Sequence, residues 1–141
     1  QIIGEIPMSI LNKLAKYRQA STFEYQAKTE MTDEQFKALN VKLRAENRVN
    51  VNANKKDVEV PYRVQMSIGG TWERPQGYFK NLEVASLAGT LVSIARFGDK
   101  AIVGTFAESA VKDPEFVAWI NHGANAKVKK ETADLFDNNP F

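Results

Sequence analysis

From Val58 to Ile68 the sequence alternates without a break. Val58, Val60, Tyr62, Val64, Met66 and Ile68 are apolar, and Glu59, Pro61, Arg63, Gln65 and Ser67 stand between them. Strand side chains point to opposite sides with a period of two, so the pattern predicts a strand that buries one side. A helix would scatter the same six residues around its axis. Pro61 has no amide to give to a ladder, which places the strand at a sheet edge or starts its pairing after that residue. Gly69-Gly70 offers the positive φ angles of a two-residue hairpin turn, and Thr71-Trp72-Glu73-Arg74 returns alongside. Pro75-Gln76-Gly77 makes a second turn before Tyr78-Phe79-Lys80.

Helical signals flank this hairpin region. Ser9 is placed to cap a first helix carrying Ile10, Leu11, Leu14 and Tyr17. Thr32-Asp33-Glu34-Gln35 has the form of a capping box, followed by Phe36, Leu39 and Leu43 on one face. Between the two, Phe23, Tyr25 and Ala27 alternate as a short strand would. After the hairpins, Leu82, Ala85 and Ala88 suit a helix ending near Gly89. Thr90 to Phe97 and Lys100 to Phe106 then read as a hairpin about Gly98-Asp99. Asp113-Pro114-Glu115 opens a helix with Phe116, Trp119 and Ile120 inward and Gly123 at its end. Asn50 to Asp57 and the stretch after Gly123 read as linkers. The expected fold is α+β: an antiparallel hairpin sheet, OB-like in one of its forms, with flanking helices. A single domain is expected over residues 1–125, with 126–141 as a C-terminal arm or tail.

At 141 residues, with 43% hydrophobic and 26% charged residues, one core is the natural outcome. No run approaches the roughly eighteen apolar residues that cross a bilayer, and Gln1 to Pro7 lacks the flanks of a signal peptide, so a soluble, cytoplasmic protein without membrane contact is expected. The absence of cysteine removes disulfides, thiolate nucleophiles and sulfur-ligated zinc. His122 is the only histidine and stands at a helix end, where a solvated residue is the ordinary reading. There is no glycine-rich phosphate loop, and the carboxylates Glu83, Glu108, Asp113 and Glu115 show no pairing pattern. Neither catalysis, a metal nor a cofactor is therefore expected.

The formal charge is only +2, but it is unevenly spread. All 19 Lys and Arg lie at or before Lys130, whereas three of the 17 acids, Glu131, Asp134 and Asp137, follow it. Within the basic body, aromatic and basic residues interleave most densely at Tyr62, Arg63, Trp72, Arg74, Tyr78, Phe79 and Lys80. Single-stranded nucleic acid calls for that mixture: aromatic faces stack bases at about 1 to 3 kcal/mol each, and Lys and Arg follow the phosphates. Several of these aromatics equally suit a core, Tyr62 above all, since it lies on the apolar side of its strand.

The chain ends on Asp134-Leu135-Phe136-Asp137-Asn138-Asn139-Pro140-Phe141. Its acids, its internal Phe136 and its final Pro140-Phe141 resemble the C-terminal tip of bacterial and phage single-stranded-DNA-binding proteins. In those proteins the tip recruits replication and repair proteins. The likeness implies that Asp134, Phe136, Asp137, Pro140 and Phe141 bind partners, with the terminal Phe entering an apolar pocket and the carboxylates meeting Arg or Lys. The expected function is a single-stranded-DNA-binding protein of a phage or plasmid, a homo-oligomer whose tail recruits partners. The alternative is a self-assembling viral structural subunit, located in the virion, whose terminal arms dock on neighbours.

Overall fold

The hairpin predicted around Gly69-Gly70 is the centre of the sheet. The computed structural model describes residues 10–19, 32–53 and 59–136. Strand β3 (Tyr62–Ile68) begins directly after Pro61 and turns through Gly69 and Gly70, with φ of 63° and 79°, into β4 (Thr71–Trp72). Glycine reaches such angles without steric cost, so the two strands close on a two-residue loop. Strand β5 (Gly77–Phe79) pairs antiparallel with the first half of β3.

The other neighbour of β3 is a strand that the sequence reading placed partly in a linker. β2 (Arg48–Ala53) pairs antiparallel with β3 along its whole length, Arg48 opposite Ser67 and Ala53 opposite Tyr62. Asn is rare in strands and common in turns, which hid an alternation of Val49 and Val51 with Asn50 and Asn52. Among the described residues the sheet is thus four-stranded and antiparallel, with β2 on one side of β3 and β4 and β5 on the other.

Helix α3 (Leu82–Phe97) covers one side of this sheet, contacting β2, β3 and β5. The predicted hairpin over 90–106 is not formed, because α3 runs on through Gly89 to Phe97. Asn81 starts it by accepting from the amides of Glu83 at 2.7 Å and Val84 at 3.4 Å. The helix is buried on almost every side from Val84 to Ser93, so its polar residues are satisfied locally. Ser86 Oγ donates to the Thr105 carbonyl at 2.7 Å, Thr90 Oγ1 accepts from the Gly104 amide at 3.1 Å, and Ser93 Oγ accepts from the Ile102 amide at 3.2 Å. This i, i+4, i+7 stripe holds the returning segment against the helix. Within that segment β6 (Ile102–Val103) pairs in parallel with β1 (Arg18–Gln19), which follows the short helix α1 (Ile10–Lys13).

Helix α2 (Asp33–Arg44) begins with the expected capping box: Thr32 Oγ1 accepts from the Gln35 amide at 3.1 Å, and Gln35 Oε1 accepts from the Thr32 amide at 3.0 Å. Helix α4 (Pro114–Asn121) is capped by Asp113, which accepts from the Glu115 amide at 2.9 Å. Glu115 in turn accepts from the backbone amides of Lys80 and Asn81, tying α4 to the junction of β5 and α3. Phe116 and Ile120 are fully buried, and Trp119 is half-buried.

The segment expected as an arm joins this same core. Helix α5 (Ala126–Glu131) contacts α3 and α4. Thr132, Leu135 and Phe136 are buried, and the rings of Phe116 and Phe136 lie 6.2 Å apart. The predicted strand at Phe23–Ala27, the cap at Ser9 and the tip from Asp137 to Phe141 lie outside the described residues. Among the described residues no helix is long and apolar enough to cross a membrane.

Candidate nucleic-acid interface

Cross-strand register divides the seven interleaved residues into two sets. Tyr62 pairs with Phe79 on the side facing α3, where Phe79 is 1% exposed and Tyr62 packs against the apolar cluster. Phe79 belongs to the core, and Tyr62 is half-buried against it. Arg63 pairs with Tyr78 on the opposite side, and Ser67 pairs with Trp72 on that same side. Tyr78 is 50% exposed, Trp72 is half-buried, and Arg74 and Lys80 are exposed in the segments that follow β4 and β5.

Carried across β2, the same register gives three rows on the side away from α3. One row is Asn52, Arg63 and Tyr78; the next is Asn50 and Gln65; the third is Arg48, Ser67 and Trp72. Strands lie roughly 4.8 Å apart and alternate residues on a strand roughly 6.7 Å apart, so Trp72 and Tyr78 stand opposite β3 positions separated by roughly 13 Å. Aromatic rings therefore flank the β4–β5 edge, with a polar field of amides and guanidinium groups behind them.

The structure buries much of that field. Arg48, Asn50, Asn52, Gln65 and Ser67 are all buried. The connection between α2 and β2 passes over this side, since Ser67 Oγ donates to the Glu46 carbonyl at 2.6 Å, and α2 contacts both β2 and β3. Gln65 Nε2 donates to the Glu73 carbonyl at 2.7 Å. Arg48 Nε donates to the Val49 carbonyl at 3.5 Å, but seven other buried atoms are unmatched. Arg48 Nη2, both amide atoms of Asn50 and of Asn52, Arg63 Nε and Gln65 Oε1 are buried with no hydrogen-bond partner, and every such atom among the described residues lies on this one side of the sheet. Each such group costs about 1 to 3 kcal/mol when left unmade. Burial lowers the Arg48 pKa from its ordinary value, an effect opposed by Glu46, whose carboxylate lies 3.5 Å from Arg48 Nη1.

Of the residues that share this side of the sheet, the sequence reading singled out Arg63, Trp72 and Tyr78 and did not place Arg48, Asn50 and Asn52 there. The period of two in Arg48-Val49-Asn50-Val51-Asn52-Ala53 was the available signal.

The tail residues are placed only in part. Phe136 is 9% exposed against Phe116, so its ring is a core contact and not a free recruitment anchor. Asp134 is exposed, and its carbonyl accepts from Lys13 Nζ at 3.3 Å. Asp137, Pro140 and Phe141 lie outside the described residues. His122 is exposed and its Nδ1 accepts from the Ala124 amide at 3.1 Å, an ordinary cap of the next turn. No group of three or more potential metal ligands occurs among the described residues. No protein-family model, no curated protein and no solved structure matches the chain.

Proposed function

We propose that the protein binds single-stranded DNA on the side of the sheet turned away from α3, and that the C-terminal tip recruits partner proteins. The observation that carries this reading is the shared sidedness of Arg63, Trp72 and Tyr78, fixed by register and opposite to that of Tyr62 and Phe79. Two separated aromatics accept stacked bases, and Arg63, Arg74 and Lys80 supply cations for the phosphates between them. A sheet with one aromatic, basic side serves this purpose without closing into an OB-like barrel. No chemistry is ascribed to the site, which holds a strand and releases it.

Binding of this kind weakens with salt as counterions return to the phosphates. Titration of a single-stranded oligonucleotide and of its duplex at two salt concentrations tests the reading. Tighter binding of the single strand, weakening at higher salt, supports it. Preference for duplex, or no binding at low salt, refutes it.

A further inference from the structure

We infer that the site takes a strand of about five nucleotides, whose end bases stack on Trp72 and Tyr78 and whose middle phosphates meet Arg74 at a bulge between the two rings; this rests on the single-strand reading above. The edge that carries β4 and β5 is longer than the part of β3 it accompanies. The Glu73 amide donates to the Met66 carbonyl at 2.8 Å, and the Gln76 amide donates to the Val64 carbonyl at 2.7 Å. Between these two bonds Arg74 and Pro75 stand against Gln65 alone, which makes the stretch a bulge. A bulge bends the strand that carries it and re-aims its side chains. Gln65 Nε2 donates to the Glu73 carbonyl at 2.7 Å, and Pro75 fixes its own φ, so this bulge is held in place.

The bulge lies midway between the rings. Trp72 is opposite Ser67 and Tyr78 is opposite Arg63, and Gln65 is halfway between those two on β3. Arg74 and Tyr78 are exposed, and Trp72 is half-buried. Glu73, the acid next to Arg74, stands against the buried Met66 and so belongs to the side of the core.

The spacing sets the length of strand. The rings answer to β3 positions roughly 13 Å apart, four residues at about 3.3 Å each. Bases stacked in one strand follow each other at about 3.4 Å, so about four steps, or five nucleotides, reach from one ring to the other. A dinucleotide engages one ring only. A pentanucleotide engages both, and its middle phosphates then pass the bulge, where Arg74 supplies the cation. Nucleotides beyond the fifth meet neither ring.

The test uses the full chain with a dinucleotide, a pentanucleotide and a decanucleotide of thymidine, and with pentanucleotides that lack one base. Affinity should rise steeply from the dinucleotide to the pentanucleotide, and beyond it only by the number of registers the longer strand offers. Removing either end base should weaken binding roughly tenfold, within the range of one base stacked on an aromatic ring, whereas removing the middle base should leave it nearly unchanged. Tyr78→Ala should erase the cost at one end and Trp72→Ala the cost at the other. Arg74→Ala should lower the slope of log affinity against log salt for the pentanucleotide by about one. A steep rise that continues to the decanucleotide, an equal cost for middle and end bases, loss of the same end in both variants, or an unchanged salt slope in Arg74→Ala overturns the inference and leaves the single-strand reading standing. Absence of binding to any of the strands defeats both. Should Trp72→Ala fail to fold, Tyr78→Ala decides alone, since it must erase the cost at one end and keep it at the other.

Discussion

Arg63 and Tyr78 stand directly opposite each other on β3 and β5, one residue out of step with the half-buried Tyr62 and the buried Phe79. Under the proposed reading, neighbouring residues of one strand therefore separate a binding role from a structural one. Tyr78→Ala should weaken single-strand binding by about 1 to 3 kcal/mol, the contribution of one stacked base, with little effect on melting. Phe79→Ala should cost about 3 to 5 kcal/mol of stability as a large buried ring is lost. Oligonucleotide titration and thermal melting of both variants check the division. Equal effects of the two changes on binding at matched stability would contradict it.

Arg63→Ala should reduce the slope of log affinity against log salt by about one, the signature of one lost phosphate contact. Titration over a salt series measures it. An unchanged slope would mean that Arg63 does not meet a phosphate.

Gly77 is held close to its surroundings. A Cβ at this position would lie 2.8 Å from Trp119 Nε1 and 2.9 Å from the Phe79 ring, and Trp119 Nε1 already donates to the Gln76 carbonyl at 3.1 Å. Gly77→Ala should destabilise the protein by about 1 to 3 kcal/mol through forced displacement of these rings. In a Trp72→Phe background the emission of Trp119 reports the displacement directly, since the chain has two tryptophans. Unchanged stability and emission would show that the site relaxes freely.

Thr90→Val keeps the shape of the side chain while removing the acceptor of the buried Gly104 amide. The expected loss is about 1 to 3 kcal/mol in chemical denaturation, because the amide is left without a partner.

The strands and helix starts that have strong local grammar were legible in the sequence. Glycines with positive φ fixed the β3–β4 hairpin, and the side-chain oxygens of Thr32 and Asp113 fixed the starts of α2 and α4. Among the elements that were not, two show tertiary burial overriding propensity. β2 is rich in Asn yet pairs fully with β3, and α3 carries the β-branched run around Thr90 to Ile94 inside a helix sealed on almost every side. The aromatic and basic residues of the candidate site were visible as composition, but their sidedness was not. The choice between Tyr62 and Arg63, or between Phe79 and Tyr78, depends on which side α3 covers, and that is a property of the assembled sheet.

The tip distinguishes recruitment from self-assembly. Deleting Pro140 and Phe141 should leave melting and single-strand affinity unchanged, or raise affinity slightly as an acidic segment is altered, with particle size by light scattering also unchanged. A collapse of large assemblies into smaller species on this deletion would favour the structural-subunit reading, since an arm buried on a neighbour contributes about 1.5 to 3 kcal/mol per large apolar side chain.

The central claim is that the outer aromatics of the sheet hold a single strand, and titration of the Trp72→Ala/Tyr78→Ala double variant beside the wild type tests it most directly. At low salt the wild type should bind a single-stranded oligonucleotide, and the double variant should lose about 2 to 6 kcal/mol of that binding, corresponding to two stacked bases, while melting close to the wild type. Equal affinity of the two proteins for the same strand would contradict the claim.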